Sequence, residues 1–444
     1  MNINPFRGWR YRTATGDISR LVAPPYDILS ADDKARLLAA DPHNIVAVDL
    51  PHVPPKEAGS DAEYASAADT LRRWQREGVL VQEDRPCLYA YEQAFAWAGR
   101  SYVRRALVAA VRLEEFCARH VWPHEKTFPG PKADRLKLTQ ATRMQLSPIF
   151  GFYEDDGSVA AALFAAAQRG GTAGAAHATL RGARERFLPV SEPAVIEQVK
   201  AALADRNLFI ADGHHRYTTC LNYRQSLGDL PADHPANFVL FVLAAMDDPG
   251  LVILPTHRVI RGLDDFDLDG FINSTRRVIE YTPVEVGEDD LADASAYLRP
   301  HGSHAMLFLS AKGGRVQAAI GRLKDVSLMK KVAPEETEAW RRLDVSILHT
   351  LIIEHFLADC RRPETSIEYY SDGKAPYAAA LGRGGTAEMS TGQAQSGPAD
   401  LAVFLQCTPV ASVKEIALSR AVMPHKSTYF YPKPATGLVL YQLA

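Results

Sequence analysis

The sequence predicts an α+β protein of mixed, largely antiparallel sheets with flanking helices. Three observations carry that expectation: two apolar β-rich stretches broken by turn residues, further strands interspersed with helices downstream, and no internal repeat of fixed period.

From the N-terminus, Pro5 to Tyr11 read as a loop or edge strand. In VAPPYDILS, Pro24 and Pro25 force extended backbone before a helix with Ser30 as its N-cap. A second helix is better marked, because Ser60 and Glu63 form a capping box, Leu71 and Trp74 share a face, and Gly78 suits the C′ position. Between Cys87 and Val111 two alternating segments flank Gly99, which predicts an antiparallel hairpin. The polar, conformationally restricted segment His124 to Arg135 follows, then a helix through Met144. Helix-forming residues from Ala160 onward are broken by a surface loop, Arg169 to Ala176. A helix from Pro193 to Ala204 leads to the strand Leu208 to Ala211, the turn Asp212-Gly213-His214-His215-Arg216, and a helix from Tyr217 to Ser226.

Phe238–Met246 and Leu251–Ile260, separated by Asp247-Asp248-Pro249-Gly250, read as a second hairpin. Further strands are expected at 305–310, 316–320, 366–370 and 401–406, with helices at 345–357 and 413–419. The turn-rich stretch Ala380 to Asp400 reads as a mobile loop. The chain of 444 residues suggests an N-terminal part, 1–230, and a C-terminal part, 231–444, packed as one composite unit.

With 47% hydrophobic and 23% charged residues, the chain has ordinary globular composition. A net charge of −3 argues against non-specific nucleic-acid binding. The five cysteines are scattered and form no C-x-x-C pair, as expected for reduced thiols. No apolar signal core opens the sequence and no run of about 18 apolar residues occurs, so a cytoplasmic protein without membrane contact is expected. The oligomeric state stays open.

The chemistry concentrates in five short segments. A strand ending in Asp212-Gly213 and opening into a helix presents unpaired N–H groups and the positive end of the helix dipole, which suits an anion. Gly213 lets backbone approach a phosphate, Arg216 with His214 or His215 adds donors, and Asp212 suits a metal ion, a ribose or a substrate hydroxyl. The competing reading makes Asp212 a helix cap and leaves both histidines solvated. In the second segment, Glu125 beside His124 and Lys126 has the chemistry of a general base, and Lys126, Lys132 and Arg135 could neutralise phosphate. It is not H-E-x-x-H, because Phe128 stands where the second histidine would be. Thr256-His257-Arg258 and Lys426-Ser427-Thr428-Tyr429 are candidate polar clusters at a cleft, and Pro24-Pro25-Tyr26-Asp27 is a rigid frame for Tyr26 or Asp27. P-loop, dinucleotide-binding, G-x-S-x-G and cysteine-rich zinc patterns do not occur.

VAPPYDILS, HEKTFPGPKADRLKL with SPIFGFY, LFIADGHHRY, ILPTHRVI, LDVSILHTLI and KSTYFYPKPATGLVL together resemble a mainly prokaryotic domain-of-unknown-function family, number ten-fifteen, over nearly the full chain. Through the Gly-His-His-Arg turn that family is similar to the ParB and sulfiredoxin superfamily, which includes archaeal ADP-dependent serine kinase and a free serine kinase of siderophore synthesis. In sulfiredoxin the turn reads Gly-Cys-His-Arg, and His214 stands at the cysteine position here, which argues against cysteine chemistry. In ParB it reads Gly-Glu-Arg-Arg and binds CTP phosphates, although this chain shows no evident helix-turn-helix. The resemblance implies a ParB/sulfiredoxin-like strand–turn–helix phosphate site at Gly213, His214, His215 and Arg216, with Asp212 on substrate or metal and Glu125, or alternatively Asp27, as the catalytic acid.

The expected function is nucleotide-dependent phosphoryl transfer to or from a small hydroxylated metabolite, first of all serine or phosphoserine. The resemblance also links the family to serine biosynthesis. Mg²⁺ would assist, and ADP or ATP would be co-substrate. Catalytic roles fall to Glu125, Asp212 and His215; nucleotide or phosphate contacts to Gly213, His214, Arg216, Lys126, Arg258 and Lys426; supporting or substrate roles to Tyr26, Asp27, His124 and His257. The alternative is a non-catalytic nucleotide-binding regulator of the ParB type.

Overall fold

The computed structural model describes residues 1–13, 16–54, 57–127, 129–170, 174–311, 316–383 and 399–444. Most of the expected loop at 380–400 therefore lies outside the described residues, as do residues 171–173 of the 169–176 break and Phe128. The protein is α+β, with mixed, largely antiparallel sheets and flanking helices. The chain divides into two compact units, one comprising Met1–Val252 with Pro432–Ala444, the other Ile253–Tyr431.

A nine-stranded mixed sheet organises the first unit. Its middle is the hairpin of Leu88–Trp97 and Arg100–Arg112, antiparallel with Trp97 opposite Arg100. Ala98 and Gly99 both take positive φ, 49° and 75°, the primed-turn geometry whose twist matches the flanking strands. The strand Ala183–Val190 extends the sheet on one side, and Phe238–Ala245 pairs on the other. Beyond Phe238–Ala245 lie Ile149–Tyr153, parallel to it, and then Leu208–Asp212, antiparallel to Ile149–Tyr153.

Period-two alternation gives the sheet two different faces. Leu88, Ala90, Leu107, Ala109, Ile210 and Phe241 pack with Leu163, Val199 and Tyr217 from the helices Ser158–Arg169, Pro193–Leu203 and His214–Ser226. The intervening positions include Tyr91, Gln93 and Arg104, which are buried on the other face and carry polar groups. Ser30 and Ser60 both close capping boxes, with Asp33 and Glu63 respectively, and Gly78 takes φ 70° after the second helix.

The expected second hairpin does not form. Phe238–Ala245 is buried at every position and pairs with the first hairpin and with Ile149–Tyr153 instead of turning back. Such burial on both faces produces the same continuous apolar run as two short hairpin strands, so the run alone does not identify its partners. The downstream strand His257–Leu263 sits in the second unit, between Arg361–Tyr370 and Leu401–Phe404. The second unit is built on an antiparallel six-stranded sheet whose core includes Val259, Leu298, Leu307, Ala402 and Phe404. Its segment 347–356 is a π-helix.

Candidate phosphate-binding turn

All the groups of the candidate site lie in the first unit. The strand Leu208–Asp212 carries a register irregularity between Ile210 and Asp212, where it pairs with Gly151 and Phe150. A bulge of this kind re-aims the following side chain. Gly213 then takes φ 98° and ψ 27°, and the helix begins at His214. Only glycine fits this position without cost, because a Cβ there would lie 3.0–3.1 Å from the Arg216 guanidinium. The first-turn N–H groups of this 13-residue helix have no carbonyl of their own helix to donate to, and they carry the positive end of its dipole.

The structure sets a lysine between two carboxylates beside this turn. Lys433 Nζ lies 2.7 Å from Asp212 Oδ1 and 2.8 Å from Asp27 Oδ2. Its side chain is 8% exposed, against 19% for Asp212 and 26% for Asp27, so the pairs are partly desolvated. Arg216 Nη2 donates to Asp212 Oδ2 at 2.5 Å, and Nη1 donates to the Pro148 carbonyl. Arg216 is thus turned back onto the strand that precedes it, where it clamps Asp212 and the backbone at Pro148.

The two histidines expected at a phosphate behave differently. His214 is buried, and its Nε2 accepts the backbone N–H of His124 at 3.2 Å. A ring nitrogen that accepts has no proton, so the neutral tautomer carries its hydrogen on Nδ1, which faces Glu125 Oε2 at 3.8 Å. Burial, reinforced by His124, His215 and Arg216, holds the His214 imidazole well below the usual histidine range. His124 is also buried, packed edge-on against His214, and its pKa is lowered by burial to about 4. The buried pair therefore pins the His124-Glu125 segment to the turn. His215 is half-buried, and its carbonyl accepts from Thr219 Oγ1 at 2.9 Å. Lys126 is exposed.

A buried polar layer supports the turn from beneath. Arg135, expected to neutralise phosphate, instead donates to Asp134 Oδ2 at 2.7 Å and to the Asp49 carbonyl at 2.6 Å, and it stacks over the Tyr26 ring at 3.9 Å. Tyr26 is buried against it, and burial raises its phenol far above the ordinary value. Asp49 accepts from Ser147 Oγ at 2.9 Å, and burial raises its carboxyl. A cavity of about 40 Å³ lies here, lined among others by Asp49, Arg135, Gln145, Ser147, Arg216 and Thr219. That is room for a few waters.

His257, Arg258 and Lys426 belong to the second unit. Arg258 is buried over the Tyr369 ring and donates to the Lys426 carbonyl at 3.0 Å, while His257 Nδ1 accepts the Leu405 N–H at 3.1 Å. Burial lowers Arg258 to about 10 and His257 to about 3. Both side chains are engaged with backbone inside that unit.

Among the described residues no group of three or more His, Cys, Asp or Glu is placed to hold a metal ion. At Asp212 both oxygens already face cations, Lys433 and Arg216, so the residues present do not fit a protein-held Mg²⁺ at that carboxylate. Also among the described residues, no helix is long and apolar enough to cross a membrane.

Sequence reasoning missed Lys433 and chose Lys426 from the same C-terminal segment. The signal lay in Pro432-Lys433-Pro434, since prolines on both sides of a lysine hold its backbone as rigidly as Pro24-Pro25 hold Asp27. The two proline-rich segments are tied together, with Ala23 N–H donating to Thr436 O at 3.1 Å and Thr436 N–H to Ala23 O at 2.8 Å.

A family model described as Protein of unknown function (DUF1015) matches residues 3–346. No curated protein matches the chain. Among solved structures, SbnI with C-terminal truncation from Staphylococcus aureus is 10% identical, with 75% of this chain and 86% of that one covered at a TM-score of 0.35. A free serine kinase in complex with AMP is 11% identical, with 70% and 83% covered at 0.31. A conserved hypothetical protein from Pyrococcus furiosus is 12% identical, with 72% and 92% covered at 0.30. Likenesses this loose carry no functional argument.

Proposed function

We propose, for a chain that belongs to the DUF1015 family, that the Asp212–Arg216 turn binds the phosphates of a nucleotide and that the protein transfers a phosphoryl group to or from a small hydroxylated metabolite. Serine and phosphoserine are the first substrates to try. The observation that supports this most is the Lys433 ammonium held between Asp27 and Asp212 beside the first turn of the helix His214–Ser226. Phosphoryl transfer asks little covalent work of a protein. It needs oriented reactants and charge stabilisation on the moving group, together with an acceptor for the hydroxyl proton.

In this reading the first-turn N–H groups receive the phosphate oxygens, and Lys433 neutralises charge on the group in transit. Asp27 accepts the proton of the substrate hydroxyl as its oxygen bonds to phosphorus and the bond to the nucleotide oxygen breaks. Arg216 acts through Asp212, and His214 through Glu125. Any Mg²⁺ would arrive with the nucleotide, and no step is assigned to it. In the reverse direction phosphoserine is the donor and a nucleoside diphosphate oxygen the acceptor: that oxygen bonds to phosphorus as the serine ester bond breaks, and protonated Asp27 returns its proton to the serine oxygen.

The test is to incubate the protein with Mg²⁺, ATP or ADP, and serine or phosphoserine, and to follow phosphorus species by ³¹P NMR. Transfer in at least one pairing is expected, with Asp27→Asn lowering turnover on the order of 10²-fold or more. No transfer with any pairing removes the substrate assignment. A wild-type rate in Asp27→Asn removes Asp27 from the chemistry.

A further inference from the structure

We propose that Arg104, Gln93 and Tyr91 are positioning residues that set where the Lys433 ammonium sits, by holding the backbone on both sides of it. The three side chains project from one face of the central hairpin, since Tyr91 and Gln93 are two apart on a strand and Gln93 lies directly opposite Arg104. Glu185 joins them from the next strand, where it pairs with Gln93.

Three branches of this network end on the segment 432–435. Arg104 Nη2 donates to the Pro432 carbonyl and to Gln93 Oε1. Gln93 Nε2 donates to Glu185 Oε1 at 3.1 Å and to the Lys433 carbonyl at 3.4 Å. The Tyr91 hydroxyl donates to Glu185 Oε2 at 2.5 Å and accepts the Ala435 N–H at 3.2 Å. The carbonyls of residues 432 and 433 and the amide of residue 435 are thus all held by side chains of one sheet face.

A buried arginine beside a buried glutamate is costly compared with apolar residues of similar volume, so its presence calls for a reason beyond stability. Fixing a unique backbone position is such a reason, and the position fixed is that of the lysine. The neighbouring bridge between Ala23 and Thr436 registers the Asp27 segment against the same strap, so one anchor governs both partners of the ion pair. Burial raises the Glu185 carboxyl to about 7, which keeps its proton within reach of neutral pH.

The consequence for turnover rests on the function proposed above; the placement of Lys433 does not, and the experiment separates the two. Full-length protein is pulsed with acetic anhydride, and acetylation of each lysine is read by mass spectrometry. In the wild type, Lys433 should react on the order of ten-fold more slowly than exposed Lys126. In Arg104→Gln and in Tyr91→Phe, Lys433 should react several-fold faster while Lys126, Lys137 and Lys200 keep their rates. Arg104→Lys should recover part of the protection, because an ammonium can still reach a carbonyl. Should Arg104→Gln fail to fold, Tyr91→Phe, which deletes one oxygen, carries the test.

Wild-type protection of Lys433 in a folded variant overturns the proposal. Faster labelling with a parallel fall in kcat supports both the positioning and the phosphoryl-transfer reading. Faster labelling with unchanged transfer supports the positioning and refutes the role given to Lys433 in transfer.

Discussion

Replacing Glu185 by glutamine should flatten the dependence of stability on pH between about 5 and 8. Glu185 is 3% exposed, and burial outweighs the hydrogen bonds from Tyr91 and Gln93 and the attraction of Arg104, raising its carboxyl from 4.5 to about 7. Below 4.5 the group is protonated both folded and unfolded, and its titration makes no difference to stability. Between 4.5 and 7 the folded protein holds a proton that the unfolded chain has released, so stability falls as pH rises through this window. The full span corresponds to about 3 kcal/mol, from the free energy equivalent of each pH unit. Glutamine cannot ionise, so the variant escapes this loss. It brings a constant cost instead, because an amide offers one oxygen where the carboxylate had two, accepting from Gln93 and from Tyr91. That cost does not change with pH, so the informative quantity is the stability difference between variant and wild type. It should move in favour of the variant by roughly 2–3 kcal/mol from pH 5 to pH 8. Urea unfolding at four pH values across that range measures it. Parallel curves would show that Glu185 does not titrate in this window and would refute the account of the buried network.

Two further outcomes concern the turn. Histidine ¹⁵N shifts should show His214 neutral with its proton on Nδ1 from pH 5 to 8, because Nε2 accepts from His124 and burial disfavours charge; an Nε2–H tautomer would mean that the hydrogen bond to the His124 amide is wrong. Gly213→Ala should cost roughly 1–3 kcal/mol in thermal or urea stability, from a positive φ and a Cβ pressed against the Arg216 guanidinium. A loss within ±0.5 kcal/mol, the range of an ordinary surface substitution, would contradict that backbone geometry.

The sequence by itself determined the features whose causes are local. Ser30 and Ser60 start helices because their side chains reach amides three residues on, and Gly99 closes a hairpin because its neighbours alternate on both sides. The strand–glycine–helix turn at Asp212–Arg216 was equally legible, since an apolar strand, a residue suited to positive φ and a helix follow one another without interruption. The tertiary structure decided which side chains meet at that turn. Lys433 reaches Asp27 across 406 residues, and no periodicity or spacing reports such a distance. It also decided that Arg135 and Arg216 are spent on carboxylates and carbonyls, and that His214 is a buried acceptor rather than a charged donor. Tertiary pairing likewise turned the expected second hairpin into a central strand. Polar residues in a row look alike in sequence whether they face a ligand or one another. Only long-range packing sets their burial, and burial decides which of them stay charged and sets Lys433 between two carboxylates beside the turn.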